Sequence, residues 1–262
     1  MPPAFSDDSL ARIAERLPGP SRFLLDLNGT LIRGGMEVPG AGALVRHLAG
    51  RFAIVSNNST HTPEQLAREL SLLGLPVPAD RLLLAGDLAL HVLRREMRGA
   101  AILFCGSAQL QERGRELGLA LVNEARAADV VLLARDTEFT YRKLCAVVDA
   151  VGAGAVLFVT NPDKTHPGPG SAVVPETGAL LSAVLACAGT RLHRIIGKPE
   201  PFLFLEALRR LDCGPSETLL VGDNAETDGA GARRLGMPFL LASTAMERDL
   251  MQFVLQAVSE AG

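Results

Sequence analysis

The sequence is poor in the residue types that mark several classes of protein. Its 262 residues include no tryptophan, one tyrosine and only four cysteines. The cysteines stand far apart in apolar surroundings and show neither the spacing of a metal site nor a disulfide framework. We therefore expect reduced, buried thiols, as in a cytoplasmic protein. The four are Cys105, Cys145, Cys187 and Cys213.

Long apolar runs and an excess of basic charge are also absent. No run approaches the ~20 residues of a membrane helix, and the amino terminus lacks the basic and apolar regions of a signal peptide. The formal net charge of −3 gives no reason to expect nucleic acid or an anionic membrane as a partner. The 48% of hydrophobic residues is enough for the core of one large α/β domain or of two smaller ones.

Short apolar runs and amphipathic segments alternate along the chain, which predicts strands and helices in alternation. Thr62, Pro63 and Gln65 have the arrangement of a capping box at the start of a helix. The alternation predicts a doubly wound parallel sheet with helices on both faces. We expect strands at 23–25, 52–55, 82–84, 100–104, 129–134, 155–160, 192–196, 218–221 and 238–241. We expect helices at 8–17, 40–50, 63–73, 87–97, 107–117, 139–151, 177–188 and 245–260, and one that begins after Pro201.

Four of the predicted strands end in polar residues that are suited to chemistry. Because the carboxyl ends of parallel strands meet at one edge of a sheet, where ligands bind, we expect these four loops to converge. Together they would supply a carboxylate nucleophile, hydroxyl and amide donors, one ammonium and two further carboxylates. In chain order the residues are Asp26, then Ser56 with Asn57, then Lys198, then Asp223 with Asp228.

Each of these residues also has an ordinary structural explanation. The aspartates could form turns or cap the helices that follow them. The serine and the asparagine could form a plain turn, and the lysine could be a solvated loop charge. Their shared position at strand ends favours a common site over four separate accidents.

The motifs, taken in this order, resemble those of the haloacid dehalogenase superfamily, and more closely its NagD-like, type IIA phosphatase branch. The resemblance extends from about residue 22 to residue 244. The main segments are Asp26-Leu27-Asn28-Gly29-Thr30, Ser56-Asn57-Asn58, Gly197-Lys198-Pro199-Glu200-Pro201 and Gly222-Asp223 through Asp228. Further similar segments are Val38-Pro39-Gly40-Ala41, Thr62-Pro63-Glu64-Gln65-Leu66, Phe139-Thr140-Tyr141 and Thr160-Asn161-Pro162-Asp163.

The resemblance implies a Rossmann-like, doubly wound parallel-sheet core with an inserted αβ cap of the C2 type. We expect the core at 1–84 and 189–262 and the cap at 85–188. Members of the branch are Mg²⁺-dependent phosphatases that form an aspartyl-phosphate, and the cap closes to exclude water and to select the substrate. A small phosphorylated metabolite is the expected substrate. For the oligomeric state, a monomer and a homodimer formed through the cap are both left as alternatives.

The resemblance also assigns a role to each residue at the strand ends. Asp26 is the nucleophile. Its carboxylate, the backbone carbonyl of Asn28 and Asp223 hold the Mg²⁺, with Asp228 behind them or linked through water. Phosphate oxygens are bound by the Ser56 hydroxyl, the Asn57 amide and the Lys198 ammonium. The positive charges offset the repulsion between a carboxylate and a phosphate dianion.

Asn28 departs from the family pattern, which has an aspartate two residues after the nucleophile. That aspartate protonates the leaving oxygen and later activates the hydrolytic water. A carboxamide cannot exchange a proton at neutral pH, and loss of general acid–base catalysis typically costs about 10²–10⁴-fold in rate. We therefore expect attenuated hydrolysis of alkyl phosphates and a smaller effect on aryl and acyl phosphates.

Several explanations of Asn28 stay open. The protein could be a naturally weak phosphatase or an inactive phosphate-binding protein, or it could use another proton donor. Asn28 could also be a substitution made to trap an intermediate, and the Asn28-Gly29 dipeptide could deamidate. A dinucleotide-binding oxidoreductase is disfavoured, because no G-x-G-x-x-G turn follows the first strand.

Two residues at the predicted return from cap to core, Asn161 and Asp163, are expected near the substrate at the mouth of the site. An ordinary Asn-Pro turn is the alternative. His166 fits a loop residue better than a catalyst. Arg135 and Arg142 are weaker candidates for anion contacts, since most arginines are simply solvated.

Overall fold

The computed structural model describes residues 21–168, 172–189, 192–242 and 249–259. The helix expected at 8–17 and the first residues of the helix expected at 245–260 lie outside these ranges. The chain divides into two compact units. The first comprises Met1–Val55, Ala67–Leu82 and Phe204–Gly262, and the second Ser56–Leu66 and Leu83–Leu203.

Strands and helices alternate through most of the described chain. The strands are β1 (Arg22–Leu25), β2 (Ile32–Arg33), β3 (Met36–Glu37), β4 (Phe52–Ser56), β5 (Leu82–Leu84), β6 (Ala101–Cys105), β7 (Ala120–Val122), β8 (Val130–Leu133), β9 (Val156–Val159), β10 (Thr165–Pro167), β11 (Val173–Pro175), β12 (His193–Ile195), β13 (Thr218–Gly222) and β14 (Phe239–Leu241). The α-helices are α1 (Ala41–Leu48), α2 (Pro63–Leu72), α3 (Ala85–Glu96), α4 (Ala108–Glu116), α5 (Tyr141–Gly152), α6 (Thr177–Ala188), α7 (Phe202–Leu211), α8 (Ala230–Leu235) and α9 (Leu250–Ser259).

The sheet of the first unit has the strand order β14-β13-β1-β4-β5. β1 pairs in parallel with both β13 and β4, and β13 pairs in parallel with β14. Every residue of β4 and β13 is buried. A continuous buried run is expected of a parallel strand that is covered on both faces. The predicted parallel-sheet α/β architecture is confirmed.

The second unit has its own five-stranded parallel sheet, in the order β12-β9-β8-β6-β7. Successive residues of β6 face opposite sides, as strand geometry requires. Ile102 and Phe104 join a core with α3 and α4, while Leu103 and Cys105 join one with α5 and α6. The unit is therefore a three-layer sandwich in its own right.

One strand lies in a different sheet from the one that we expected. The strand at 192–196 was expected beside the strand of Asp26, but β12 pairs with β9 in the second sheet. The cause is local continuity, since a strand that follows a helix usually returns beside the preceding strand. Lys198 therefore does not follow a strand of the sheet that carries Asp26, and its convergence with the other three loops stays a prediction. The domain boundaries at 85 and 188 stay a prediction.

The structure also contains short elements that we did not predict. β10 and β11 form an antiparallel hairpin where the sequence indicated a loop, and β2 and β3 form another. Gly34 and Gly35, which link β2 to β3, both have positive φ (58° and 79°), as a tight hairpin turn requires. Ala225–Gly229 form one π-helical turn after β13. Pro169, part of the loop expected there, lies outside the described residues.

The cysteines and the helix ends test two further predictions. All four cysteines are free, as expected, but only Cys105 is buried. Cys145 and Cys187 are exposed, because they lie on the outward sides of α5 and α6. The capping box of α2 is confirmed: the Thr62 backbone N–H donates to Oε1 of Gln65 at 3.0 Å, and the Gln65 N–H donates to Oγ1 of Thr62 at 3.3 Å.

Every helix in the described part of the chain is too short or too polar to cross a lipid bilayer.

Candidate active site

Three carboxylates of the first unit lie close together, and we call Asp26, Asp223 and Asp228 the acidic cluster. One carboxylate oxygen of each lies within 4.8 Å of those of the other two. Asp26 and Asp228 are buried, with 4% and 0% of their surface exposed, while Asp223 is half-buried. The structure therefore brings together three of the acidic residues that the sequence singled out.

Strand register explains why Asp26 and Asp223 meet. Leu25 at the end of β1 pairs with Val221 of β13, and the N–H of Asp26 donates to the carbonyl of Val221 at 2.8 Å. Both aspartates therefore leave the same edge of the sheet. Asp228 returns to them through the π-helical turn, where its Oδ2 accepts the N–H of Asn224 at 3.3 Å.

Two glycines make this close approach possible. Gly29 has φ +90°, and a Cβ there would lie 1.8 Å from Oδ2 of Asp223. A Cβ at Gly222 would lie 2.5 Å from Cγ of Asp228. Because neither position has room for a side chain, the acidic cluster depends on glycine at both.

Thr30 is a site residue that the sequence analysis did not single out. Its hydroxyl donates to Oδ2 of Asp26 at 3.1 Å, and its side chain is 1% exposed. The hydrogen bond fixes the orientation of the Asp26 carboxylate. The available signal was its position four residues after the aspartate, in the same tight turn.

The turn after Asp26 keeps the Asn28 side chain exposed. The N–H of Gly29 donates to the carbonyl of Ile32 at 2.8 Å, and the N–H of Leu31 donates to the carbonyl of Leu27 at 2.9 Å. Metal binding by the Asn28 carbonyl and the loss of proton transfer at its side chain stay predictions.

The residues of the acidic cluster fit a divalent metal ion. Three carboxylates at this distance repel one another when they are ionised, and a cation among them offsets that repulsion. Mg²⁺ and Ca²⁺ are hard ions that prefer oxygen ligands, and carboxylates are the ligands offered here. The described part of the chain contains no other such group of histidine, cysteine and acidic residues.

In the second unit a separate set of polar side chains surrounds Asn57, and we call Asn57, Asn161, Asp163 and Lys198 the Asn57 network. Oδ1 of Asn57 accepts the backbone N–H of Lys198 at 2.7 Å, and its Nδ2 donates to the Lys198 carbonyl at 3.2 Å. The same Nδ2 donates to Oδ2 of Asp163 at 3.0 Å. Lys198 is only 3% exposed, and it precedes a cis peptide bond to Pro199.

Asn161 occupies the centre of a buried group of hydroxyls in the same unit. Its Nδ2 lies 2.9 Å from the Asn57 carbonyl, 3.2 Å from Oγ1 of Thr177 and 3.4 Å from Oγ of Ser59. The side chains of Asn161, Thr177 and Ser59 are all 2% exposed or less. Asn161 and Asp163 therefore lie together beside Asn57, and a contact of either with substrate stays a prediction.

Ser56, the last residue of β4, is 1% exposed, and its Oγ accepts the N–H of Asn58 at 3.2 Å. This bond holds the loop in a tight turn. The turn explanation of Ser56 is therefore correct in part, and the turn leaves its hydroxyl hydrogen available for another acceptor.

A third group, which contains an acid that we did not predict, includes the hairpin residue His166. Glu176 lies 2.8 Å from Nδ1 of His166, at an ion-pair distance without hydrogen-bond geometry, and 3.5 Å from Nη1 of Arg135. Burial raises the pKa of the Glu176 carboxyl, although Arg135 and His166 both favour its charged form. Glu176 belongs to no motif, which is why the sequence did not reveal it.

Comparisons with known families and relatives agree with this geometry. The family described as haloacid dehalogenase-like hydrolase matches residues 23–120, and one described as HAD-hydrolase-like matches residues 195–253. An acid sugar phosphatase of Staphylococcus aureus is 30% identical over 225 residues, which cover 85% of this chain and 86% of the relative.

Solved structures give the same result. The glycerol phosphate phosphatase of Mycobacterium tuberculosis, solved in complex with calcium, is 28% identical with a TM-score of 0.79, covering 90% of this chain and 68% of that one. NagD of Escherichia coli has a TM-score of 0.78 at 23% identity, covering 88% of this chain and 90% of that one, and shares the fold. The chain belongs to the haloacid dehalogenase-like hydrolases, among the phosphatases of that family.

Proposed function

We propose that this chain hydrolyses phosphate monoesters of small metabolites through an aspartyl-phosphate on Asp26, with Mg²⁺ as its cofactor. The acidic cluster is the observation that carries the proposal. Its carboxylates lie within 4.8 Å of one another, and Asp26 stands at the carboxyl end of a buried parallel strand. Such a position is where α/β folds place their reactive groups.

Small phosphorylated sugars and polyols are the substrate class that we favour. Two similar proteins, an acid sugar phosphatase and a glycerol phosphate phosphatase, support this class. Neither name identifies the substrate of this chain. The net charge of −3 offers no general attraction to large polyanions, which is consistent with a small substrate.

In the proposed reaction Asp26 attacks the phosphorus atom, so that a bond forms between its Oδ and phosphorus while the ester oxygen leaves with the bonding pair and takes a proton from solvent. Water then attacks the same phosphorus, loses a proton to solvent, releases inorganic phosphate and regenerates the Asp26 carboxylate. The hydrogen bond from Thr30 orients the nucleophile in both steps. The proposal also requires the Ser56 hydroxyl, the Asn57 N–H and the Lys198 ammonium to bind the phosphoryl oxygens.

The acidic cluster would hold the metal ion through Asp26 and Asp223, together with the Asn28 carbonyl and with Asp228 behind them. When bound, Mg²⁺ supplies positive charge that offsets the repulsion between a carboxylate and a phosphate dianion. The calcium in the glycerol phosphate phosphatase structure is also a hard divalent cation.

Asn28 attenuates the reaction in this proposal. Its carboxamide cannot protonate the leaving oxygen or activate the water, and the lost catalysis corresponds to about 3–5 kcal/mol of barrier. Leaving groups that are already acidic, such as phenols, need this proton least. We therefore expect p-nitrophenyl phosphate to be cleaved at a measurable rate and glycerol 3-phosphate much more slowly.

A phosphate-binding protein without useful turnover is the second candidate function, and Asn28 is the observation that favours it. The two candidates share a binding site and differ in whether a covalent step follows. The substitution Asn28→Asp separates them, because it supplies the proton donor without changing the volume of the side chain.

The test is a steady-state comparison of the chain with Asn28→Asp, using p-nitrophenyl phosphate and glycerol 3-phosphate, with Mg²⁺ and with EDTA. We expect Asn28→Asp to raise kcat on glycerol 3-phosphate by about 10²-fold or more, to change the aryl ester less, and to lose all activity in EDTA. Turnover that persists in EDTA would refute the metal-dependent reaction. Phosphate binding by both proteins without any turnover would favour the second candidate.

A further inference from the structure

We propose that Asn57 is a positioning residue. Its side chain sets the location of the Lys198 ammonium by forming hydrogen bonds with both the backbone N–H and the backbone carbonyl of Lys198. The inference rests on the proposed function, in which Lys198 binds the transferred phosphoryl group. It gives the Asn57 carboxamide a role separate from that of its backbone N–H. All of the residues that carry it belong to the second unit.

The first observation is the way one carboxamide pairs with one residue. Oδ1 of Asn57 accepts the Lys198 N–H at 2.7 Å while Nδ2 donates to the Lys198 carbonyl at 3.2 Å. A neighbouring β-strand pairs with a residue in the same way. The reverse amide orientation would point oxygen at the carbonyl of Lys198 and at the carboxylate of Asp163, so only one orientation satisfies every partner.

The second observation is the closeness of this contact. A Cβ at Gly197 would lie 2.4 Å from Oδ1 of Asn57 and 2.6 Å from the carbonyl of Thr160. The N–H of Gly197 donates to that carbonyl at 2.7 Å. The glycine before Lys198 is therefore required by space, and the segment is held from two directions.

The third observation is that Asn57 is itself held. Oδ2 of Asp163 accepts its Nδ2 at 3.0 Å, and the Asn161 amide donates to its carbonyl at 2.9 Å. Oδ1 of Asn161 accepts the N–H of Asp163 at 3.1 Å, so one turn supports both ends of Asn57. This turn packs against α6, because a Cβ at Gly178 would lie 2.1 Å from the carbonyl of Pro162.

These contacts matter for the reaction because lysine is long and flexible. An ammonium on four methylenes is placed accurately only if its backbone and its stem are both fixed. The Lys198 side chain is 3% exposed, so its stem is packed, and Asn57 fixes the backbone. A misplacement of about 1 Å at a reacting centre costs about 10²-fold in rate.

The primary test is a double-mutant cycle of Asn57→Ala and Lys198→Ala in the Asn28→Asp background, with p-nitrophenyl phosphate. If Asn57 acts through Lys198, Asn57→Ala lowers kcat/KM by about 10–100-fold when Lys198 is present and has almost no effect once Lys198 is gone. If the fold-changes in kcat/KM of the two single variants simply multiply in the double variant, the inference is overturned. Asn57→Asp provides a second variant of unchanged volume, which loses the amide donor and places a carboxylate against Asp163.

Asn58→Ala is the matched control. Asn58 is the adjacent asparagine, and its Oδ1 accepts the N–H of Thr60 at 3.1 Å and that of His61 at 3.0 Å. The variant therefore removes a side chain with a similar number of hydrogen bonds from the same loop. We expect it to keep kcat/KM within about threefold of the parent and to show no coupling to Lys198. A loss as large as that of Asn57→Ala would show that the loop as a whole is responsible, which overturns the specific role of Asn57.

A readout that needs no catalysis separates this inference from the proposed function. The sequence contains three lysines, Lys143, Lys164 and Lys198, so competitive acetylation followed by peptide mass spectrometry reports Lys198 against two internal references. We expect slow labelling of Lys198 and a several-fold rise relative to Lys164 in Asn57→Ala, but not in Asn58→Ala.

The combined results have distinct meanings. Active protein with unchanged labelling overturns the inference and leaves the phosphatase proposal standing. A labelling rise in a protein that cleaves no phosphate ester refutes the proposed function and limits Asn57 to holding the chain together, which overturns its catalytic positioning role.

Discussion

The acidic cluster and the Asn57 network solve opposite electrostatic problems. The acidic cluster gathers three carboxylates, while the Asn57 network satisfies its amides and its carboxylate with one another. A cation offsets the repulsion within a group of like charges, whereas a satisfied network of hydrogen bonds stabilises the fold by itself. The comparison teaches that one region has the concentrated negative charge that attracts a cation, while the other fixes its residues through hydrogen bonds.

The largest expected effect tests the chemical half of the comparison. We expect Asp26→Asn to lower kcat on p-nitrophenyl phosphate by at least about 10⁴-fold, because it removes the covalent nucleophile. The measurement is a single-turnover assay with Mg²⁺, and circular dichroism checks the fold. Retention of a tenth of the parent rate would exclude Asp26 as the nucleophile.

The next prediction concerns the space between Asp223 and the turn after Asp26. Gly29→Ala would place a Cβ 1.8 Å from Oδ2 of Asp223 at φ +90°. We expect it to destabilise the fold by about 2–6 kcal/mol, through backbone strain and overlap together.

Gly118→Ala is the control for this variant, because Gly118 has φ +79° and nothing within 4 Å of the added atom. It should show only the strain component, about 1–3 kcal/mol. The measurement is urea unfolding of both variants. Equal losses would mean that the close approach to Asp223 does not matter.

Metal binding provides a more direct comparison of the two regions. At a free Mg²⁺ concentration of about 100 times Kd, the ion should stabilise the fold by about 2.7 kcal/mol. Asp223→Asn should lose this gain and should be more stable than the parent in EDTA, since it relieves repulsion within the acidic cluster.

Asn161 belongs to the Asn57 network. We expect the variant Asn161→Ala to be less stable than the parent in EDTA but to keep the full stabilisation by Mg²⁺. Thermal unfolding with and without Mg²⁺ measures both effects. If Asp223→Asn kept the gain, the acidic cluster would not be the metal site.

The smallest effect concerns Asp87, a buried carboxylate of the second unit that contacts Arg113 and His91. Burial alone would raise the pKa of Asp87, but His91 and Arg113 outweigh it, so that its pKa lies below 3.8. Because the pKa is lowered in the folded state, the stabilisation is complete above pH 3.8 and is lost as the pH falls through the folded value.

Asp87→Asn should therefore lower the free energy of unfolding by about 1–3 kcal/mol near neutral pH, and this loss should become smaller in acid. Urea unfolding of the variant and the parent across this pH range measures it. A difference that stays constant down to low pH would mean that the charge of Asp87 does not matter.

Sequence patterns predicted what depends on local structure. The strand before Asp26 and the capping box at Thr62 both follow from neighbouring residues. The meeting of Asp26 with Asp223 also followed, because parallel strands end at one edge.

The features that the sequence did not predict depend on distant partners. β12 pairs with β9 of the second sheet and not with a strand of the sheet that carries Asp26. The contacts of Asn57 with Lys198 join residues 141 positions apart, and that of Glu176 with Arg135 joins the N-cap of α6 to a loop. No local pattern encodes such pairs, so they become visible only with coordinates.

The central claim is that Asp26 becomes phosphorylated, and the most direct test is peptide mass spectrometry of a quenched reaction. In the proposed reaction Asn28 cannot activate the hydrolytic water. The chain with p-nitrophenyl phosphate and Mg²⁺ should therefore accumulate one phosphoryl group on the peptide that contains Asp26, and none in EDTA. Turnover without that adduct, or an adduct on another residue, would contradict the account.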